Sequence, residues 1–396
     1  MSMKRKCDVC IGCGKCHNVS DASLQVVTES FLKRINGATK GVPFVLADIG
    51  TTTLAMELYN VNGEKVAEYV RPNPQRIFGA DVISRILAAQ NPMNARQMQS
   101  LVKKVLQEGL EELQKVQREK ISCMYLAANT TMLYLLLGHD TEPLGRAPFN
   151  AEYLEAEVLE LGETKVYVLP GLSAFVGSDV LAGVLASDMQ EKQDVSLLID
   201  LGTNGELVIG NCEKIYACST AAGPAFEGGA SKGIWGADMV SLVARLLREE
   251  VVDETGLLQE PFFDEGIKIG GVCVTQQAIR QLQLAKAAIA TGITLLIKEY
   301  GISTQQIDKV ILAGGLGYYI RPEDAVEIGL LPKELFGKAV AGGNTALAGA
   351  GKLAFCREKA DMLQRAASDT KSVSIAEKAE FQEMFIQRMN LEFLET

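Results

Sequence analysis

Long hydrophobic stretches are missing from this sequence of 396 residues, and no apolar run reaches the ~18 residues that span a bilayer. The opening MSMKRKCDVC is basic but carries no apolar core behind it, so it does not read as a secretory leader, and a cytoplasmic location is expected. A surplus of basic charge is missing too. Lys and Arg number 39 against 49 Asp and Glu, a net charge of −10, which argues against a nucleic-acid partner. Two familiar nucleotide loops are also absent. The pair Gly351-Lys352 has Ala346 where a Walker A loop needs its first glycine and Leu353 where it needs a hydroxyl. No Gly-x-Gly-x-x-Gly follows a strand, which excludes the dinucleotide fingerprint of the Rossmann fold.

What remains is ordinary globular usage, 47% hydrophobic and 22% charged, which excludes wholesale disorder. At ~150 residues per domain the length suggests two or three domains. There are nine cysteines, an odd number, and four of them are crowded together as Cys7, Cys10, Cys13 and Cys16. Disulfides between such neighbours would close small, strained rings, so in a reducing compartment the group reads as metal or cluster ligands. Cys7-x2-Cys10-x2-Cys13-x2-Cys16 is similar to the ferredoxin run that binds a [4Fe–4S] cluster, but its last spacing is x2 and no proline follows, which leaves the role of Cys16 open. Structural zinc is the alternative, although zinc pairs usually lie far apart in sequence. His17 reads as a solvated loop residue. The scattered Cys123, Cys212, Cys218, Cys273 and Cys356 read as small buried hydrophobes.

Downstream, two apolar hairpins share one interruption. Asp48-Ile49-Gly50-Thr51-Thr52 breaks the first, and Asp200-Leu201-Gly202-Thr203-Asn204 breaks the second, which signals an internal duplication. In the first, Asn62-Gly63 reads as the turn before a strand over Lys65–Val70. Helices are predicted over 96–117, from Thr130 to Leu137, from Ser178 to Ser187 and over 275–299. Strands are predicted over Cys123–Ala127, Val166–Leu169, Val310–Leu312 and Ser372–Ile375. Residues 340–355 are Gly/Ala-rich, with Asn344 read as the cap before a tightly packed helix, and a last helix is expected over Glu380–Arg388. Residues 21–41 read as a linker or short helix.

The repeated turn is chemically apt for phosphates. Glycine lets the main chain come close, and backbone N–H groups and Thr hydroxyls donate to phosphate oxygens. An Asp at the strand end can hold Mg²⁺ through its hydration shell. Gly50, Thr51, Thr52, Gly202, Thr203, Asn204 and Gly205 are therefore the candidate nucleotide ligands, and Asp48 and Asp200 the Mg²⁺ residues. Ala313-Gly314-Gly315-Leu316-Gly317 could pass under an adenine ring, which makes Gly314 and Gly315 the adenosine contacts. Either turn alone reads as a plain β-turn, whereas both together with the later glycine loop read as an ATP site. Asp200, Glu206 and Asp179 are the candidate catalytic carboxylates. Glu206 or Asp179 would orient the attacking water. Glu206 reads equally as a surface strand residue.

This order of turns resembles the ASKHA superfamily of acetate and sugar kinases, heat-shock 70 proteins and actin. The resemblance implies an α/β fold of two ribonuclease-H-like lobes with ATP in the cleft between them. Further stretches narrow it: Arg71-Pro72-Asn73-Pro74-Gln75, Gly79-Ala80-Asp81-Val82-Ile83-Ser84-Arg85, Ala128-Asn129-Thr130-Thr131-Met132, Phe175-Val176-Gly177-Ser178-Asp179, and the run from Ala217 to Gly228. Together they resemble the ATPase region of the reductive activators of corrinoid proteins. That likeness implies ATP-dependent, one-electron reduction of a Co(II) corrinoid to Co(I), an iron–sulfur cluster as electron carrier, a corrinoid protein and an electron donor as partners, and a homodimer. Relatives of this kind carry a whole ferredoxin-like domain; here fewer than ~30 residues separate Cys16 from the first expected ATPase strand, so the cysteine segment is expected either to hold one small cluster or to be a remnant. The expected organisation is a cysteine segment over 1–20, a linker over 21–41, lobe I over 42–192, lobe II over 193–355 and a closing segment over 356–396. The small-residue run over 217–233 is expected to face the partner. A small-molecule kinase on the same fold, or a module in which ATP only sets affinity for a partner, are the alternative functions.

Overall fold

A computed structural model describes residues 24–26, 41–223, 236–269, 272–317, 319–356 and 358–393. The cysteine segment therefore lies outside the described residues, as does 224–235.

The first sheet has seven strands: β1 (Leu24–Val26), β2 (Phe44–Ile49), β3 (Thr53–Tyr59), β4 (Lys65–Pro72), β5 (Cys123–Ala128), β6 (Glu157–Leu161) and β7 (Thr164–Val168), in the order β1-β6-β7-β5-β2-β3-β4. The second has six: β8 (Ser196–Leu201), β9 (Gly205–Gly210), β10 (Ile215–Thr220), β13 (Lys309–Ala313), β14 (Ala339–Gly343) and β15 (Thr370–Ser372), in the order β14-β13-β8-β9-β10-β15. A separate two-stranded hairpin pairs β11 (Ile267–Ile269) with β12 (Val272–Val274). The duplication is visible in the pairings. In each half the Asp-bearing strand starts an antiparallel meander, β2-β3-β4 or β8-β9-β10. On its other side it pairs in parallel with β5 or β13.

Strand alternation assigns the faces. Val45, Ala47 and Ile49 of β2 pack outward under the helices α1 (Val82–Ala89), α2 (Pro92–Gln114) and α3 (Thr130–Leu137). Phe44 and Leu46 point inward, into a core that also takes Leu198 of β8, Val208 of β9 and Ile311 of β13. Helices α4 (Ser178–Ser187), α8 (Thr345–Phe355) and α9 (Glu358–Asp369) fill that inner core between the sheets. Beyond the second sheet, α5 (Gly236–Arg248) and α6 (Gln276–Tyr300) pack on Leu197, Ile199 and Leu207. Helix α6 starts at the N-cap Thr275, whose side chain accepts from the Ala278 N–H, and stops at Gly301, whose φ of +86° suits glycine. Helices α4 and α8 touch backbone to backbone. A Cβ on Gly349 would stand 1.9 Å from the Ala182 carbonyl oxygen, so no larger residue fits there without moving the crossing.

Several sequence expectations shift. Leu24–Val26, expected in a linker or short helix, is a strand paired with β6 from Leu24↔Leu161 to Val26↔Leu159. The Asn62-Gly63 turn is a wider loop, closed by Asn60 N–H to Glu64 O at 2.9 Å, with Gly63 at φ +79° and a register shift at Tyr59. The helix begins at Thr345, directly after its cap Asn344 as expected, while residues 339–343 ahead of the cap, to which no strand was assigned, form edge strand β14. The strand predicted at Ser372–Ile375 lies two residues earlier, at Thr370–Ser372. Of the scattered cysteines, Cys123 and Cys218 are buried as expected, but Cys212 is exposed and Cys273 and Cys356 are partly so. Ala217 and Cys218 lie fully buried in β10, so the start of the 217–233 run offers no partner surface. Among the described residues no helix is long and apolar enough to cross a membrane.

Candidate functional site

The two repeated strands end at one cleft of about 650 Å³. Strand parity explains why. Asp48 lies two residues beyond Leu46 and Asp200 two beyond Leu198, so both carboxylates continue the inward faces of their strands. Both line the cleft. The neighbouring strand then distinguishes the halves. Ala55 of β3 sits opposite Asp48, whereas Glu206 of β9 sits opposite Asp200. Glu206 is 8% exposed and lines the cleft, which removes the reading of a surface strand residue. Asp179 arrives from the first turn of α4. Its loop is tied to the end of β5 by Ser178, whose Oγ accepts from the Ala128 N–H at 2.8 Å and donates to the Ala128 carbonyl at 3.1 Å.

The turns themselves are closed by their own backbones. Gly50 N–H donates to Thr53 O at 2.9 Å, and Gly202 N–H to Asn204 O at 3.0 Å. Gly50, Thr51 and Thr52 line one wall; Gly202, Thr203 and Asn204 line the other. The walls meet where Thr52 Oγ1 and Thr203 Oγ1 share a hydrogen bond of 3.1 Å. Gly314 and Gly315 line the cleft as well, in the short helical turn α7 (Gly314–Gly317). Gly314 has φ +80°, and a Cβ there would fall 2.3 Å from Asp200 Oδ1, so glycine is required on both counts. Gly205, the remaining candidate, is not among the lining residues. It sits in β9, where a Cβ would meet Thr220 Oγ1 at 2.7 Å and Ile289 at 2.9 Å; its glycine serves packing against β10 and α6.

Sequence reasoning passed over several lining residues. Asn344, read only as a helix cap, does cap α8 by accepting from Leu347 N–H at 2.8 Å, and it also donates to Asp48 Oδ2 at 2.8 Å across the cleft. Asn129, in the stretch 128–132, lines the cleft at the start of α3. Asp238 and Tyr319 carried no signal in the sequence.

The electrostatics are one-sided. Burial pushes Asp48 up to about 6 against the opposing bond from Asn344. Burial, then Asp48, pushes Asp200 up to about 7. Burial, then Asp48 and Asp200, pushes Asp179 up to about 8. Glu206 is raised well above the carboxylate range by burial, then by Asp179 and Asp200. Among the described residues, none that lines the cleft is Lys, Arg or His. Such a cleft repels a bare triphosphate and requires a cation to admit one. Among the described residues no group of three or more His, Cys, Asp or Glu converges as a metal cage. The carboxylates Asp48 and Asp200 are oxygen donors of the kind that would hold a hydrated Mg²⁺, which takes only one or two protein carboxylates.

A family model described as the RACo middle region matches residues 44–192. A second, the C-terminal domain of RACo, the ASKHA domain, matches 194–233 and 229–395. The chain is similar to corrinoid activation enzyme RamQ of Eubacterium limosum, 30% identical over 89% of this chain and 70% of that protein. It is 26% identical to a Co(II) methylated amine-specific corrinoid protein reductase of Methanosarcina barkeri, over 51% of this chain and 46% of the other. A solved reductive activator for corrinoid, iron–sulfur protein superposes with a TM-score of 0.82 at 27% identity, over 90% of this chain and 67% of that one. With both RACo regions matched in sequence and the two repeated lobes closing on one acidic cleft, the chain belongs to the RACo family and its fold is that of an ASKHA ATPase.

Proposed function

We propose that the protein is an ATP-dependent reductive activator that returns the cobalt of a corrinoid protein from Co(II) to Co(I). The observation that carries this is the acidic twin-turn cleft in a chain of the RACo family. Similarity to proteins named as corrinoid activators and reductases supports the substrate class.

The residues have distinct tasks. Thr51, Thr52, Thr203 and Asn204, with the main chain of Gly50 and Gly202, donate to the phosphates, while Gly314 and Gly315 face the adenosine. Asp48 and Asp200 would hold Mg²⁺, which when bound offsets the negative charge that nucleotide and carboxylates otherwise pool. Asp179 and Glu206 are placed to orient the attacking water and take its proton. Both carboxylates hold a proton more tightly than an ordinary carboxylate, chiefly because of burial, which suits a proton acceptor. Cys7, Cys10, Cys13 and Cys16 are proposed to carry the iron–sulfur cluster that delivers the electron; the support for this is their spacing alone. A separate electron donor, a homodimer and a cytoplasmic setting complete the reading.

Reduction to Co(I) is uphill for ordinary donors, and a one-electron couple shifts its equilibrium tenfold per ~59 mV. Nucleotide therefore acts only if one of its states favours a conformation, or a partner complex, in which the electron can pass. The two lobes joined through α4 and α8 are the element that can take two positions.

The test is anaerobic reconstitution with iron and sulfide, followed by mixing with a corrinoid protein and a reductant, with and without ATP. Growth of Co(I) absorbance only with ATP is the expected result. Absorbance near 400 nm that is bleached by dithionite and lost when the four cysteines are replaced by serine would support the cluster. Co(I) formed equally without ATP would remove the coupling.

A further inference from the structure

Three of the stretches quoted for the resemblance, 71–75, 79–85 and 128–132, have no residue assigned above to nucleotide chemistry. In the fold they meet behind the first phosphate turn. Asn73 is at their centre and has no exposed surface. Its Nδ2 donates to the Gly50 carbonyl at 2.8 Å and to Met132 Sδ at 3.4 Å. Its Oδ1 accepts from the Gln75 N–H at 2.9 Å. Its own backbone N–H donates to the Thr52 carbonyl at 2.7 Å. One residue thus grips two carbonyls of a turn that lines the cleft, without lining the cleft itself.

The support continues outward. Met132 Sδ also accepts from Arg85 Nη1 at 3.0 Å, and Arg85, fully buried, donates from Nε to the Gly79 carbonyl at 3.0 Å. Hydrogen bonds among buried groups of this kind fix one geometry. The direction of the grip matters. Carbonyl oxygens are negative and would repel phosphate. In a planar trans peptide the carbonyl of Gly50 and the N–H of Thr51 point opposite ways. Tying that carbonyl back to Asn73 turns the Thr51 N–H to the side of the turn that lines the cleft.

We propose that Asn73 is a positioning residue for the nucleotide: it presets the Gly50–Thr53 turn with its donors toward the phosphates, and Met132 and Arg85 hold Asn73 in place. This rests on the nucleotide reading of the cleft. Asn73 does not touch nucleotide, and its substitution acts through the turn.

The experiment uses the full chain and three variants. Asn73→Ala removes the grip. Asn73→Asp keeps the shape and the acceptor for Gln75 but sets an oxygen against the Gly50 carbonyl, and it decides the matter if the alanine variant does not fold. Gln75→Met is the control, because Gln75 is just as buried in the same loop but donates to the Met98 carbonyl, at 3.2 Å, rather than to the turn. Displacement of a fluorescent ATP analogue by Mg-ATP reads affinity, and amide hydrogen exchange without nucleotide reads the turns. Both Asn73 variants are expected to bind Mg-ATP about tenfold more weakly. Their exchange should rise in peptides covering 49–54 but not in those covering 201–206. Gln75→Met should lower the melting temperature and leave affinity unchanged. Wild-type affinity in the Asn73 variants, equal exchange in both turns, or equal weakening by Gln75→Met would each overturn the proposal. Failure of the wild type to bind ATP would sink the nucleotide reading instead, while the exchange comparison would still report whether Asn73 sets the turn.

Discussion

Asp179→Asn should make the nucleotide-free protein more stable while stopping its ATPase. Asp179 accepts from the Val180 N–H through Oδ1 at 2.9 Å, an acceptor that Asn retains, so the start of α4 is preserved. What is lost is a carboxylate whose ionisation burial, Asp48 and Asp200 all oppose. A rise from 3.8 to about 8, at about 1.4 kcal/mol per pH unit, sets a ceiling of about 6 kcal/mol for the strain of ionising it. Water in the cleft and relaxation of the neighbours lower this, and a gain of about 1–3 kcal/mol at pH 8 is expected. The sign follows from linkage. The folded state holds this proton more tightly than the unfolded state, so wild-type stability falls as pH rises from about 4 to about 8. Below about pH 4 both states are protonated and the advantage of the variant vanishes. Urea titrations at pH 4.5, 6, 7 and 8 on both proteins without nucleotide, together with phosphate release at saturating Mg-ATP, measure the effect. A variant less stable than wild type at pH 8, or a gap that does not widen with pH, would refute the electrostatic argument. Full ATPase activity would remove Asp179 from the catalytic carboxylates.

Asp200→Asn should reduce the Mg²⁺ dependence of nucleotide binding and weaken Mg-ATP by at least about tenfold, read by calorimetric titration with and without the cation. Gly205→Ala should cost about 1–3 kcal/mol in urea unfolding, because its Cβ meets Thr220 and Ile289, with Mg-ATP affinity unchanged. Gly349→Val should destabilise by more than about 3 kcal/mol or force the lobes apart, because its Cβ would overlap the Ala182 carbonyl; melting and small-angle scattering would distinguish the two.

The core of the site was legible because strand alternation and turn chemistry are local. Asp48-x-Gly50-Thr51 and Asp200-x-Gly202-Thr203 each encode a strand end, a tight turn and a charge, and the fold merely brings the two together. Glu206 was readable in principle: it shares a face with Val208 and pairs opposite Asp200, but pairing partners need the tertiary register. Asn344 announces itself as a helix cap, and its second bond, to Asp48 at a separation of 296 residues, is invisible to any local reading. Strand β14 was missed because AVAGG has the small-residue composition of the helix that follows, and only pairing with β13 makes it extended. Gly205 looked like its neighbour Gly202, although one serves packing and the other lines the cleft. The stretches 71–75 and 79–85 looked functional, and two of their buried members, Asn73 and Arg85, serve as scaffolding for a turn that precedes them in the chain.

The bare meeting of Gly349 with Ala182 has a mechanical corollary. Side chains between helices act as cushions, because rotamers can change to absorb a displacement; a crossing of main chain on main chain has none. Such a joint resists gliding and tolerates tilting. A small change in angle beside the phosphates then becomes a sweep at the outer rims of the molecule, growing with distance from the fulcrum, and a partner seated at a rim would register whether the nucleotide is spent.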